Sequence, residues 1–451
     1  MAQEGFDLIV IGTGTAASTV ASACRSKDWK VAVIDSRPFG GTCALRGCEP
    51  KKILVGAAEA IDSIERLKSK EVVQGDSRID WPSLMRFKRT FTDPVPEERE
   101  KSFSKAGIKK FHGRARFTGP LKVQVGSDTL EGKYVLIAAG SKPMTLGIPG
   151  EEHLTTSDRF LDLDVLPQRA VLIGGGYISM EFAHVLARAG VHTTILHNGE
   201  RILPGFDPDL ITQLTEKTRS LGIELHVQTT AAAIEKSDAG LQVIARQQGK
   251  AMAFKTDLVI HGAGRVPEIE DMNLAAAGVE SGAKGVTVNE YLQSVSHPKV
   301  YAAGDAAASG GLPLTPVAGY EGRIVAANLL EGNHLKPDYR GIPTVAFTTP
   351  PVASVGLSEK AAREQGLKFK VNHADTGGWN SSRRIGETCS GFKVLIEEAS
   401  GRILGAHLLG PHAEETINFF ALAIRQDIMA TALKETLFAY PTQTSDIQYM
   451  L

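Results

Sequence analysis

The chain has 451 residues, of which 42% are hydrophobic and 22% charged, and its net charge is −1. That length exceeds what one core supports and points to about three domains. Near-neutrality excludes a polyanion binder or a membrane-surface protein, so neither nucleic acid nor membrane is expected as a partner. Four cysteines are too few for a secreted disulfide framework, the first residues carry no basic leader, and no apolar run reaches ~18 residues, so a cytoplasmic protein is expected.

A strand over residues 6–11 runs into Gly12-Thr13-Gly14-Thr15-Ala16-Ala17, a helix follows, and a second strand over 30–34 ends at Asp35. This is the dinucleotide-binding fingerprint. Gly12 and Gly14 permit a tight turn and a close approach of backbone to pyrophosphate. Ala17 holds the third position, and Asp35 stands where a ribose-binding carboxylate belongs. Directly afterwards comes Gly40-Gly41-Thr42-Cys43-Ala44-Leu45-Arg46-Gly47-Cys48-Glu49-Pro50-Lys51-Lys52. A C-x4-C pair alone could be a redox disulfide, half a zinc site or two buried thiols. Its place after a nucleotide-binding unit favours the redox centre. Cys24, in the first helix, reads as core, and Cys389 as a bystander.

Further along, residues 136–143 close the first nucleotide unit around Gly140. A second fingerprint follows a strand over 170–173: Gly174-Gly175-Gly176-Tyr177-Ile178-Ser179. A helix over 181–189 and a strand over 192–196 complete its βαβ unit. One such match is weak, but two in full units imply two bound nucleotides. Three short segments come next: Gly262-Ala263-Gly264-Arg265-Val266-Pro267, a strand ending Ala303-Gly304-Asp305, and a helix start at Leu314-Thr315-Pro316-Val317-Ala318. From residue 343 the pattern changes to strands over 391–397 and 402–409, then a helix over 413–425. His407 and His412 fall on a strand and a loop and make no metal site.

The cysteine run resembles that of the pyridine nucleotide-disulfide oxidoreductases, the family of glutathione reductase, dihydrolipoamide dehydrogenase and mercuric reductase. Gly40, Gly41, Thr42, Cys43, Gly47, Cys48, Pro50 and Lys52 match, while Leu45 and Lys51 replace the usual Asn and Ser. The resemblance implies an α/β fold with two doubly wound dinucleotide-binding domains, the NAD(P)H domain inserted in the FAD domain, plus a C-terminal α+β dimerisation domain. The implied boundaries are 1–148 and 265–335 for FAD, 149–264 for NAD(P)H and 336–451 for the interface of a homodimer. It implies FAD held by Gly12, Gly14, Ala17, Asp35, Thr42, Gly140, Asp305, Thr315 and Ala318, with Asp305 on the ribityl chain. It implies NAD(P)H held by Gly174, Gly176, Tyr177 and Ile178, with Gly264 and Arg265 where the chain leaves that domain. Cys48, on the first turn of a helix, would be the thiol against the flavin and Cys43, in the loop before it, the outward nucleophile, with a Lys52–Glu181 ion pair near the flavin's reactive edge.

Two departures shape the expected function. The strand over 192–196 runs into His197-Asn198-Gly199-Glu200-Arg201. His197 stands where an acidic residue would favour NADH, and Arg201 can pair with a 2′-phosphate, so NADPH is expected despite Glu200. At the C-terminus, family reductases carry a His that protonates the leaving thiolate and a Glu that orients it. Tyr440 holds the His position and Ser445 the Glu position, with Asp446 one residue late. Tyrosine, with an ordinary pKa near 10, is a poor base at pH 7, though it can donate a hydrogen bond or help a metal site. A tyrosine here resembles mercuric reductase, without that enzyme's C-terminal cysteine pair or N-terminal metal-binding domain. The expected activity is an FAD-dependent oxidoreductase passing hydride from NADPH, through flavin, to a Cys43–Cys48 disulfide and on to a small disulfide or thiol-bound metal. The alternative is a flavoprotein redox sensor or assembly component with little disulfide turnover.

Overall fold

The computed structural model describes residues 4–238 and 240–451. The chain divides into two compact units. One comprises the chain up to Lys51, Phe87–Met144 and Arg265–Tyr339; the other comprises Lys52–Arg86, Thr145–Gly264 and Arg340–Leu451.

The first unit is built on a parallel sheet ordered Lys109–His112, Val31–Asp35, Glu4–Ile11, Asp128–Ile137, with Val300–Ala302 beyond the last. Its strands are continuous apolar runs because both faces are covered: Leu8, Ile9, Val10, Val31, Ala32 and Val33 are all buried. Asp128–Ile137 is long enough to serve two partners. Its first half pairs antiparallel with Lys122–Val125 in a meander, and its second half pairs parallel with Val300–Ala302. In the meander, burial alternates residue by residue, as a sheet with one solvated face requires. The helix Thr15–Arg25 packs on Thr315–Glu331 through small residues. A Cβ on Gly322 would lie 3.0 Å from the Ala16 carbonyl oxygen, so the two helices cross closely there and a side chain would need the backbone to give.

The second unit repeats the plan. Its parallel sheet runs Glu224–His226, His192–Leu196, Arg169–Ile173, Leu258–His261, Leu154–Thr155, with a separate three-stranded meander over Thr229–Thr256. The C-terminal part of this unit is a five-stranded antiparallel sheet, ordered Thr344–Ala346, Val352–Gly356, Ile403–Leu409, Gly391–Glu397, Phe369–Asp375, carrying the helix Ala413–Arg425. Phe420, Ile417 and Ala413 on that helix enter the core with Val355, Phe392 and Leu408. The mixed α/β class, the two nucleotide-binding sheets and the α+β terminal part follow the expectation.

Two elements differ from it. The helix of the second fingerprint is Tyr177–Arg188, so it begins at Tyr177 rather than 181. Gly176 is its N-cap, which leaves the first N–H groups for a ligand, and Glu181 falls in the second turn, only 1% exposed. Cys43 lies not in a loop but in a short helix, Gly41–Arg46, broken at Gly47 before the long helix Cys48–Lys68. The short helix is sterically fixed at both ends: Gly41 has φ +75° and a Cβ there would lie 2.5 Å from Gly14 Cα, and a Cβ on Gly47, at the break, would lie 2.9 Å from the Thr42 carbonyl oxygen.

Candidate functional site

Within the first unit, Cys43 and Cys48 are free thiols that share a hydrogen bond. That bond, and burial behind it, push Cys43 far above the ordinary thiol range, while Thr315 works the other way. Thr315 opens the helix Thr315–Glu331, and its hydroxyl lies 3.5 Å from Cys48 Sγ. The thiol pair thus faces the positive end of a 17-residue helix, which favours a thiolate there. Thr315, which the resemblance places at the flavin, thus lies beside the cysteine that the resemblance also sets against the flavin. Thr42, between Gly41 and Cys43, sits in the first turn of the short helix.

The residues around both fingerprints fit a dinucleotide. A Cβ on Gly12 would lie 2.3 Å from the Ala138 carbonyl oxygen, and one on Gly174 2.3 Å from that of Gly262, so backbone meets backbone with no room for a side chain. Gly14 and Gly176 are the N-caps of the two following helices, whose N–H groups point where pyrophosphate would lie. Ala17 is fully buried against the sheet, and Ala318 packs on Gly304, where a Cβ would come within 3.2 Å of it. Asp35 is held by Thr13, whose hydroxyl donates to Oδ2 at 2.6 Å, and by the Arg37 N–H on Oδ1 at 3.0 Å. Thr13 also accepts from the Gly40 N–H, which links the fingerprint turn to the start of the cysteine segment.

Asp305 accepts from Ser141 at 2.8 Å. Gly140, with φ +73°, and Gly264, with φ +127°, turn the chain into the paired strands Ser141–Pro143 and Arg265–Pro267. Arg265, from the segment where the chain is expected to leave the NAD(P)H domain, lies in the first unit and donates to Ser141 through Nε (3.0 Å) and Nη2 (2.6 Å, to the carbonyl).

In the second unit, Lys52 Nζ lies 3.3 Å from Glu181 Oε2 and 3.2 Å from the Phe347 ring centroid. The other Glu181 oxygen accepts the Phe347 N–H at 2.9 Å. Phe347 was not foreseen; nothing local marks it. Tyr177 donates to or accepts from Thr344 through its hydroxyl at 2.7 Å, and Ile178 packs beside the core. The His197 ring is wedged between Gly175 and Gly199, where added Cβ atoms would each approach it to 2.7 Å. Burial holds this imidazole below its ordinary value, although a hydrogen bond to the Arg201 backbone opposes that. Arg201 reaches the Pro204 carbonyl at 3.0 Å, and Asn198 is exposed.

Tyr440 is 77% exposed. Ser445 is buried and donates to Thr442 O at 2.6 Å, and Asp446 is taken by Ser381, so neither reaches Tyr440 within the chain. His407 is buried on Ser354 and Leu357, His412 is exposed, and no cluster of three metal-ligating side chains occurs among the described residues. Cys24 and Cys389 are buried, each thiol pushed up to about 12 by burial. Among the described residues no helix is long and apolar enough to cross a membrane.

Residues 6–322 match the pyridine nucleotide-disulphide oxidoreductase family, and residues 342–451 match its dimerisation domain. The chain is 32% identical to a glutathione reductase of Burkholderia cepacia, covering 98% of this chain and 97% of that one. It is 30% identical to a mercuric reductase of Staphylococcus aureus, over 98% and 81% of the two chains. It is likewise 30% identical to a dihydrolipoyl dehydrogenase of Chlamydia muridarum, over 97% and 94%. Its fold superposes on the HOCl-induced flavoprotein disulfide reductase RclA of Escherichia coli, solved as a Cu(II) complex, with a TM-score of 0.88 at 25% identity, covering 100% of this chain and 99% of that one. Two nucleotide cradles, a dithiol at a helix N-terminus and these full-length likenesses lead to one conclusion: the protein is an oxidoreductase of the pyridine nucleotide-disulphide oxidoreductase family, whose enzymes bind FAD and NAD(P)H.

Proposed function

We propose that this enzyme takes two electrons from NADPH and delivers them through a Cys43–Cys48 disulfide to a small disulfide or a thiol-bound metal ion. The observation that carries this reading is the pair of free thiols Cys43 and Cys48, with Cys48 Sγ 3.5 Å from the Thr315 hydroxyl at a helix N-terminus. Bound FAD supplies the two-electron carrier between nicotinamide and disulfide. We read residues 1–148 and 265–335 as the flavin domain, 149–264 as the NAD(P)H domain and 336–451 as the dimerisation domain of a homodimer.

The cysteine chemistry balances as follows. Two electrons and two protons open the Cys43–Cys48 bond to a dithiol. Cys43, as thiolate, attacks a substrate disulfide; a Cys43–substrate bond forms, the substrate S–S bond breaks, and one substrate thiolate leaves and takes a proton. Cys48 then attacks Cys43 sulfur, the second substrate thiolate leaves, and the Cys43–Cys48 disulfide is restored. Cys48 is suited to the inner role because Thr315 and the helix dipole stabilise its thiolate. Glu181 holds the Lys52 ammonium, four positions after Cys48 in the chain, at 3.3 Å.

A thiol-bound metal fits the departures at Tyr440 and Ser445. In its reduction by the dithiol, two electrons pass to the metal as the Cys43–Cys48 disulfide closes, the two metal–thiolate bonds break, and the two cysteine protons pass to the released thiolates, so no further acid is needed. Mercuric reductase is among the relatives. NADPH is the favoured donor because His197 supplies no carboxylate to repel a 2′-phosphate. The test is NADPH oxidation by the holoenzyme over oxidised glutathione, lipoamide, bis-coenzyme A disulfide and Hg(II) with excess thiol. Turnover with one of these supports the proposal. Turnover with oxygen or quinones alone sinks it in favour of a redox sensor.

A further inference from the structure

The Gly304–Asp305 turn is held from two sides. On one, Asp305 Oδ2 accepts from Ser141 at 2.8 Å, and Ser141 Oγ accepts from Arg265 Nε at 3.0 Å. A guanidinium can only donate, and a serine hydroxyl has one hydrogen. Arg265 therefore fills the acceptor side of Ser141 and directs its hydrogen to Asp305. A second bond, Arg265 Nη2 to the Ser141 carbonyl at 2.6 Å, and the antiparallel pairing of Arg265–Pro267 with Ser141–Pro143 fix the relay's backbone. With Oδ2 so occupied, Oδ1 is the oxygen that Asp305 offers to a ligand.

On the other side, Glu321 Oε2 accepts the Gly304 N–H at 2.6 Å, while Oε1 accepts from Ser309 at 2.5 Å and Tyr339 at 2.6 Å. Glu321 is 1% exposed. Burial pushes its carboxyl up and its three donors act the opposite way. A buried carboxyl with a complete set of donors is fixed in place, and so is the peptide it accepts from.

We infer that Arg265, Ser141 and Glu321 are positioning residues that aim Asp305 at the ribityl chain of FAD, and that Arg265 serves the flavin rather than the nicotinamide coenzyme. The inference rests on the reading of Asp305 as a flavin contact. Its test is the rate at which FAD leaves the diluted holoenzyme, followed by recovery of flavin fluorescence, alongside NADP⁺ affinity of the oxidised holoenzyme by calorimetry. Ser141→Ala should speed FAD release about 10-fold, the effect of one hydrogen bond to a charged group, and Ser141→Thr, which keeps the hydroxyl, should restore the rate. Arg265→Met should do the same as Ser141→Ala, and the double variant should be no faster, because both act along one path. Glu321→Gln acts on the Gly304 peptide and should add to either. NADP⁺ affinity should be unchanged in all of them. Weakened NADP⁺ binding by Arg265→Met with normal FAD release would overturn the inference, as would additive effects of Ser141→Ala and Arg265→Met. Wild-type FAD release from Asp305→Asn would instead remove the reading beneath it.

Discussion

In the proposed relay, three residues decide what reaches the substrate. Cys48 contacts Thr315 and Cys43 does not lie in a free loop but on its own short helix, so the two thiols are unequal by construction. Replacing Cys43 with Ser leaves a lone Cys48 thiol beside Thr315. Its thiolate next to oxidised flavin should give a long-wavelength absorption band, whereas Cys48→Ser should not; flavin spectra unchanged in both variants would show that neither sulfur meets the flavin. Tyr440 is the third. A positioned general acid is typically worth roughly 10²- to 10⁴-fold, so reduction of glutathione disulfide and lipoamide should be slow while stopped-flow reduction of flavin by NADPH stays fast. Tyr440→His with Ser445→Glu would restore the acid and its orienting carboxylate in composition. However, Ser445 is buried and donates to Thr442, so a glutamate there must break that turn. Tyr440→His alone is the cleaner test and should raise disulfide turnover. Wild-type turnover of tens per second on either substrate would mean that Tyr440, Asp446 or water already donates the proton.

At the scale of elements, the helices Cys48–Lys68 and Tyr177–Arg188 are joined by buried charge. Arg188 donates to Asp62 at 2.5 Å and to the Thr349 carbonyl at 2.9 Å; Arg66 donates to Asp62 at 2.8 Å. His184 sits inside this network. Thr218 gives its hydrogen to Leu214, so His184 Nε2 must donate to Thr218, and Nδ1 accepts the Thr349 N–H at 3.1 Å. Both ring nitrogens are thus committed to the neutral form. Burial first, and the Arg188 charge second, lower this imidazole to about 3. Because the folded state then binds fewer protons than the unfolded state, stability should be complete above about pH 6.5 and fall between there and about pH 3, by up to about 1.4 kcal/mol per pH unit. Denaturant titrations at pH 4, 5, 6 and 7 test this, with His184→Gln expected to flatten the slope; an unchanged slope in that variant would assign the acid sensitivity to other groups. Arg188→Met, which leaves Asp62 buried without its closest cation, should cost about 3–5 kcal/mol, and a loss under 1 kcal/mol would show that Arg66 and Lys217 suffice.

At the scale of the molecule, the dimerisation domain presents apolar side chains to solvent: Phe419, Leu422 and Leu437 are exposed, the last at 98%. Large exposed apolar groups mark an interface. Leu422→Glu and Leu437→Asp should each shift the protein from dimer to monomer in sedimentation at micromolar concentration and lower disulfide turnover, while NADPH still reduces flavin. A dimer that survives both substitutions places the interface elsewhere on the domain. Coenzyme choice also belongs here, since it depends on a whole βαβ unit. NADPH should exceed NADH by about 10- to 100-fold in kcat/KM, the range of one or two charge-assisted hydrogen bonds, and His197→Glu should reverse the order. Equal use of both coenzymes by the wild type would show that Arg201, held at the Pro204 carbonyl, does not swing to the phosphate.

The fold class and the two nucleotide cradles were legible in the amino-acid sequence, and so was the cysteine pair proposed as the redox centre. Each is a local pattern: glycines that alone tolerate φ above +100° at Gly12 and Gly174, apolar runs of strand length before them, and two cysteines within one turn-and-helix segment. Sequence periodicity also placed the helix Ala413–Arg425 and the strand Gly391–Glu397 at their observed bounds. It erred by four residues at Tyr177, because the helix start is set by the Gly176 cap rather than by the first strong helix former. What only the tertiary structure decided are the pairings between distant residues. Thr315 meets Cys48 across 267 positions, Arg265 meets Ser141 across 124, and Phe347 meets Glu181 across 166. A motif fixes the backbone around each of these side chains, but the direction in which each reaches depends on which elements the crossovers bring alongside. That packing is a property of the whole chain's path, and no stretch of sequence encodes it locally.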